Sequence, residues 1–237
     1  MLFRSFAVQG SWNYETLIGA GFGFTILPAL RHVYRGRPAE LEGAVARHSE
    51  LFNSHPYFVT VAAGAVAKLE ADGTEPAVIN RFKIALRGSL GSMGDRLVWS
   101  AWRPMSMLLG LTILLAGAPW WLAIGVFLLV YNALHLSLRV IGLRIGTTSG
   151  LAVGRLLRDA PLQPFIQRAS QIASVLVGAA LALNAASVAL EPFALAASAV
   201  TIAVGFWVGQ QIRRFTTLLL AAVAAAGILI GIIGYAP

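Results

Sequence analysis

The chain contains no cysteine in its 237 residues. Disulfides, thiolate nucleophiles and cysteine-based metal sites are thereby excluded. Charge is scarce too. Only 12% of residues are Asp, Glu, Lys or Arg, against roughly 25% in soluble domains, too few to coat a water-facing surface. Acids are the rarer sign, 10 against 18 bases, and histidine occurs four times. His32, His48, His55 and His135 show no metal-ligand spacing, and there is no HExxH, no GxSxG and no paired carboxylate. The reading is therefore no metal, no cofactor and no catalytic residue. Gly19-Ala20-Gly21-Phe22-Gly23 has the wrong spacing and context for a dinucleotide loop.

What is present is apolar. Hydrophobic residues make up 57% of the chain and mean hydropathy is +0.74. No charged residue occurs in 105–138, 169–190, 192–212 or 215–237, and a helix needs roughly 20 apolar residues to cross a bilayer. The chain thus reads as an all-α polytopic membrane protein with about five transmembrane helices. The run 105–138 would be about 51 Å as one helix, so Gly117-Ala118-Pro119 reads as a turn between spans 97–117 and 120–138. Spans at 170–190, 193–211 and 215–234 complete the set, and Trp99, Trp102, Trp120 and Trp121 mark interfaces. The net charge of +8 is assigned to membrane flanks rather than nucleic acid. Five arginines in 139–168 and the Arg213-Arg214 turn read as cytoplasmic. That puts the C-terminus outside and residues before 97 on the cytoplasmic side. The N-terminus lacks the apolar core of a signal peptide.

The chain is divided here into residues 1–104, an amphipathic and re-entrant region, and 105–237, the spanning helices of one membrane domain. In the first region a helix is expected from Asn13, as N-cap, to Leu30, with Pro28 kinking its end. A polar helix is expected over 38–52, with Leu41, Val45 and Phe52 on one side. The apolar stretches 58–69 and 90–101 are too short to span. Each follows a polar break, Phe52–Tyr57 and Gly88–Asp95 respectively, the mark of re-entrant hairpins sheltered by protein. Pro56, Gly88 and Gly91 are the hairpin-forming residues. Asn53, His55, Gly94 and Asp95 are the candidate substrate or gating residues at the tips. Asp95 reads both as N-cap of a helix starting at Arg96 and as an ionisable group at membrane depth that lines a pathway or pairs with a partner. His55 reads first as a structural turn histidine. His32 and His48 are expected in solvent and His135 at a helix end. Glycine at 142, 146, 150 and 154 makes a packing stripe, unless the helix breaks at Thr147-Thr148-Ser149.

Three ordered motifs carry a family resemblance. Gln9-Gly10-Ser11-Trp12-Asn13-Tyr14-Glu15, Phe52-Asn53-Ser54-His55-Pro56-Tyr57 and Leu90-Gly91-Ser92-Met93-Gly94-Asp95, with Trp99 and Arg103-Pro104 beyond, resemble the IID membrane subunits of the mannose/fructose/sorbose phosphotransferase system. The resemblance implies a sugar-transporting subunit of the bacterial inner membrane. It implies pairing with a IIC subunit, assembly as a trimer of IIC–IID pairs, and translocation of a hexose phosphorylated by soluble IIA and IIB proteins. It also implies that the chain itself carries no phosphohistidine. Ser89 stands where the family has Pro, and Arg96 where it has a small residue. These departures motivate an alternative, a non-transporting scaffold or regulatory membrane protein of the same fold.

Overall fold

The computed structural model describes residues 1–187. Contacts divide the chain into two units, Met1–Ala180 and Leu181–Pro237, and the account concerns the first. The expected spans 193–211 and 215–234 lie outside the described residues. Those described are helical and contain no strand, only isolated bridges from Leu17 to Asn13 and to Phe52. A 3-10 helix at Phe3–Ala7 precedes α1 (Gly19–Val33), α2 (Pro38–Ser49), α3 (Val59–Ala71) and α4 (Pro76–Gly94). A π-helical segment, Asp95–Trp102, joins α4 to α5 (Arg103–Leu115). Then come α6 (Trp120–Ser149), a 3-10 turn, α7 (Val153–Asp159) and α8 (Leu162–Ser187). Among the described residues three stretches are long and apolar enough to span a membrane, Pro76–Leu115, Trp120–Asp159 and Leu162–Asn184.

The turn between the first two spans is where the sequence puts it. Gly117 takes φ +90, and Pro119 precedes the first residue of α6. The start of α1 is not. Asn13 Oδ1 accepts from the backbone N–H groups of Glu15 (2.9 Å) and Thr16 (2.8 Å). It closes a turn that competes with helix instead of capping one. Leu17 then takes φ +54, a left-handed geometry that a right-handed helix excludes, so α1 begins at Gly19. Pro28 does not end α1, which runs on to Val33.

The break expected at Gly88–Asp95 is helix instead. Gly88 and Gly91 lie inside α4, and Asp95 continues the helix rather than capping one. The helical path runs through residue 104 to Leu115. Its irregularity lies further on. Pro104 cannot donate to the carbonyl of Ser100 and its ring crowds that carbonyl; the turns just before it widen to π geometry.

The core is built on α3. Its residues Val59–Ala67, with Leu69 and Glu70, are buried, so the helix is enclosed on all sides. Against α6 the backbones nearly touch. A Cβ added at Gly64 would sit 2.6 Å from the Leu143 carbonyl, and one at Gly146 2.7 Å from the Ala65 nitrogen. Gly142 meets Val61 and Thr60 in the same way. The glycine stripe is therefore half realised. Gly150 takes φ +51 and ends α6, and Gly154 faces open space. In lipid such contacts stabilise through dispersion and close approach, because hydrocarbon offers little drive to bury apolar surface.

A second element of the core is polar. Glu70 of α3 is 4% exposed. It accepts from Arg47 (2.7 Å) and His48 (2.5 Å) of α2 and from Tyr34 at the end of α1. Lys83 of α4 donates to the Arg47 carbonyl at 2.7 Å. His48, expected in solvent, is fully buried because it serves Glu70. Burial alone would raise the Glu70 pKa, but the three donors outweigh it and hold it at about 2, below the ordinary 4.5. Burial pushes His48 down, so it stays neutral and donates through Nε2–H. A carboxyl with a lowered pKa stabilises the fold fully above its unfolded value and loses that contribution as pH falls through its folded one. In detergent, the melting temperature is expected to fall as pH drops from 4.5 toward 2, and Glu70→Gln to flatten that slope. At neutral pH Glu70→Ala is expected to cost about 3 kcal/mol, as removal of one partner from a buried ionic cluster does.

Candidate functional site

The loop between α2 and α3 supplies the site. Its entry is fixed by backbone pairing, Phe52 N–H to the Thr16 carbonyl (3.2 Å) and Ile18 N–H to the Phe52 carbonyl (3.1 Å). Pro56 follows His55, and the chain turns there. Phe58 N–H donates to the His55 carbonyl at 2.9 Å, and Tyr57 N–H to His55 Nδ1 at 3.2 Å. Since Nδ1 accepts, the ring proton sits on Nε2. The ring is 2% exposed, and Nε2 is buried without a partner among the described residues. Burying an unpaired donor is costly, and Nε2 shares that state with Arg47 Nε, His48 Nδ1 and Thr60 Oγ1 among the described residues.

His55 lies directly on Gly94 of α4. A Cβ at Gly94 would overlap the His55 Cβ and Cγ. Trp99 (5.2 Å between ring centroids) and Tyr57 (4.9 Å, edge-on) wall the imidazole. Thus the structure brings His55 and Gly94 together across two sequence-predicted segments. Asn53 and Asp95 are exposed beside them, Pro56 is half-buried, and an added Cβ at Gly88 or Gly91 would meet nothing within 4 Å.

The loop also docks on α6, through residues that the sequence did not mark as part of the site. Tyr57 stacks on His135 (3.8 Å, 15°), and its hydroxyl pairs with that of Tyr131. His135 is in the middle of α6, not at an end. Arg139 Nε donates to His135 Nε2 at 2.7 Å, which leaves the His135 proton on Nδ1, 3.4 Å from Asn132 Oδ1. Asn132 Nδ2 donates onward to the Leu128 carbonyl at 2.8 Å. One polar chain thus runs along α6 from Arg139 to Leu128. Arg139, expected as a flanking charge, is 3% exposed. Its Nη1 donates to the Ser5 carbonyl (2.8 Å) and hydroxyl (2.7 Å), and Phe6 and Tyr57 cover its face. The available signal was the spacing of Tyr131, His135 and Arg139, four residues apart on one face of a helix.

A family profile for the PTS system mannose/fructose/sorbose family IID component matches residues 1–230. The chain belongs to that family. Its mannose-specific EIID relative from Escherichia coli K12 is 32% identical over 181 residues, which is 74% of this chain and 63% of the relative. The fructose permease IID component of Bacillus subtilis is 30% identical over 184 residues, 76% of this chain and 66% of that one. The matched part therefore spans under two thirds of these relatives. Among solved structures, the mannose transporter ManYZ in complex with microcin E492 gives a TM-score of 0.59 at 31% identity, covering 75% of this chain and 66% of the other. A second membrane protein gives 0.66 at 30% identity. The IID chain described here therefore shares the fold of a sugar-transporter subunit.

Within this IID chain Gly94 and its neighbours in α4 separate by chemistry. Gly94→Ala is expected to displace His55 and cost about 1–3 kcal/mol, as overpacking does. Gly88→Ala and Gly91→Ala, in open helical surroundings, are expected to stabilise by about 0.5–1 kcal/mol. Melting temperatures in one detergent check the contrast.

Proposed function

We propose that this chain is the IID subunit of a sugar-transporting phosphotransferase system. It acts with a IIC subunit to translocate a hexose of the mannose, fructose or sorbose type, coupled to phosphorylation by soluble IIA and IIB proteins. The observation that carries the proposal is His55, neutral, walled by Trp99 and Tyr57, with a buried Nε2–H that no group among the described residues accepts. A sugar hydroxyl is the right acceptor for such a donor, and aromatic rings offer apolar faces with polar edges beside it. In the conformation described the donor is closed off. His55 on Gly94 is then the gate, and exposed Asn53 and Asp95 line the way to it.

The 52–58 loop is a re-entrant segment on this reading. Support comes from its partners on α6. Tyr131 lies seven residues inside the charge-free run that ends at Leu138, about 10 Å of helix. Irregular backbone at that depth is tolerated only in protein shelter, which α3, α4 and α6 supply. Five spans, a C-terminus outside the inner membrane and a trimer of IIC–IID pairs complete the proposal. The scaffold alternative rested on short loops and on two substitutions, Ser89 and Arg96. Both are exposed, so neither departure disturbs the packing around His55, and the relatives give that alternative no support.

The test is phosphoenolpyruvate-dependent hexose uptake by vesicles holding the chain and its IIC partner. His55→Ala is expected to lower uptake about tenfold, the worth of one lost hydrogen bond at about 1.4 kcal/mol. Asp95→Asn is expected to lower it with the complex still assembled. Unchanged uptake in both variants, across a range of sugar concentrations, removes these groups from the path.

A further inference from the structure

The outer face of α5 carries a groove that shares only Trp99 with the proposed sugar site. Trp99, Arg103, Pro104, Met107, Leu108 and Leu111 line it, and it encloses about 660 Å³. Met107 and Leu111 also border a second groove of about 220 Å³, closed by Gly110, Leu114 and Phe127 between α5 and α6. The two grooves of this trough flank Met107 and Leu111, and together they have a single charged residue in their walls, Arg103. Arg103 is exposed, and its guanidinium lies over the Trp99 ring at 5.2 Å from the centroid. Among the described residues it has no ion-pair or hydrogen-bond partner.

Depth decides what the trough can hold. Trp102 Nε1 donates to the Val130 carbonyl at 3.2 Å, which sets the level of α5 against α6. Val130 lies eight residues before Leu138, the last of the charge-free run. Arg103 is thus rooted roughly 10 Å inside the bilayer, where an uncompensated cation is costly. Its side chain leans one turn toward the helix N-terminus, over Trp99, and so returns the charge toward the interface. The apolar wall runs the other way. From Arg103 to Leu114 is about 17 Å of helix, so the wall passes the midplane of a ~30 Å core and an acyl chain lying along it is extended. A partner helix lying here would need its own buried carboxylate opposite Arg103. A lipid brings its anion at the interface and its apolar chain along the wall, which matches both ends.

We propose that this trough seats one phospholipid with an anionic headgroup, its phosphate on Arg103 beside Trp99 and an acyl chain along Met107, Leu111 and Leu114. The proposal requires α4–α6 to lie in a bilayer and is independent of whether sugar is carried. Native mass spectrometry tests it on the chain purified with its membrane partner. The probes are dioleoyl phosphatidylglycerol and phosphatidylcholine of the same chains. The parent is expected to retain one phosphatidylglycerol per chain with a preference of about fivefold, the worth of one arginine at a lipid headgroup. Arg103→Gln is expected to abolish that preference, and Arg81→Gln, an exposed cation of α4 outside the trough, to keep it. Leu111→Trp, which fills the trough and leaves Arg103, is expected to lower retention of both lipids. Equal retention of the two lipids by the parent overturns the proposal. So does release of the bound lipid by inorganic phosphate, which would mark a simple anion site. Loss of the partner subunit in Arg103→Gln, with no lipid bound to the parent, assigns the trough to a partner carboxylate and overturns it as well.

Discussion

The backbones of α3 and α6 meet at Gly64 and Gly146, and the rest of the molecule depends on that contact. A Cβ on either side would drive into the opposite main chain. At 13 residues α3 is too short to cross a bilayer, yet it is buried on every face. It persists because α6 lets it approach and the neighbouring helices close around it. Small residues are how helices in lipid gain contact area without a solvent-driven force. Once α3 is seated on α6, the loop that leads into it is carried against Tyr131 and His135. His55 is then delivered to Gly94. The site is a consequence of the packing.

Two buried polar clusters fasten the surrounding segments to this frame, and they solve opposite problems. Glu70 is a buried anion given three donors, and through them it ties the end of α1 and the last turn of α2 to α3. Arg139 is a buried cation given only neutral acceptors and aromatic faces, and it ties the N-terminal 3-10 helix to α6. The ion pairs and hydrogen bonds of these clusters specify one arrangement, because any displacement strands a charge in a medium of low dielectric; Arg47 Nε and His48 Nδ1 remain unpaired. His55 Nε2 stands apart. Among the described residues no group accepts from it, and on the proposed reading a sugar hydroxyl does.

The membrane class, the Gly117–Pro119 turn, the polar helix α2 and the turn at His55-Pro56 were legible in the sequence, because each rests on composition or on a residue whose local chemistry has one outcome. The misses share a cause. The burial of His48 depends on Glu70, 22 residues away, and that of Arg139 on Ser5, 134 residues away. No local pattern encodes such pairs. Asn13 has the same preference for closing a turn as for capping a helix, and Leu17 decided between them. Gly88, Ser89 and Gly91 read as a break because glycine and serine favour turns, yet membrane helices carry glycine freely. Of the candidate site residues, His55 and Gly94 meet, and the pairing was hidden by the 39 positions between them.

The most direct test of the account is Gly146→Val in the chain assembled with its membrane partner, with Gly154→Val, on an open face, beside it. Melting temperature and hexose uptake are read on the same preparations. The account predicts that Gly146→Val lowers both together, because α3 cannot seat and His55 loses its place, while Gly154→Val leaves both unchanged. A Gly146→Val protein that melts and transports like its parent would contradict it.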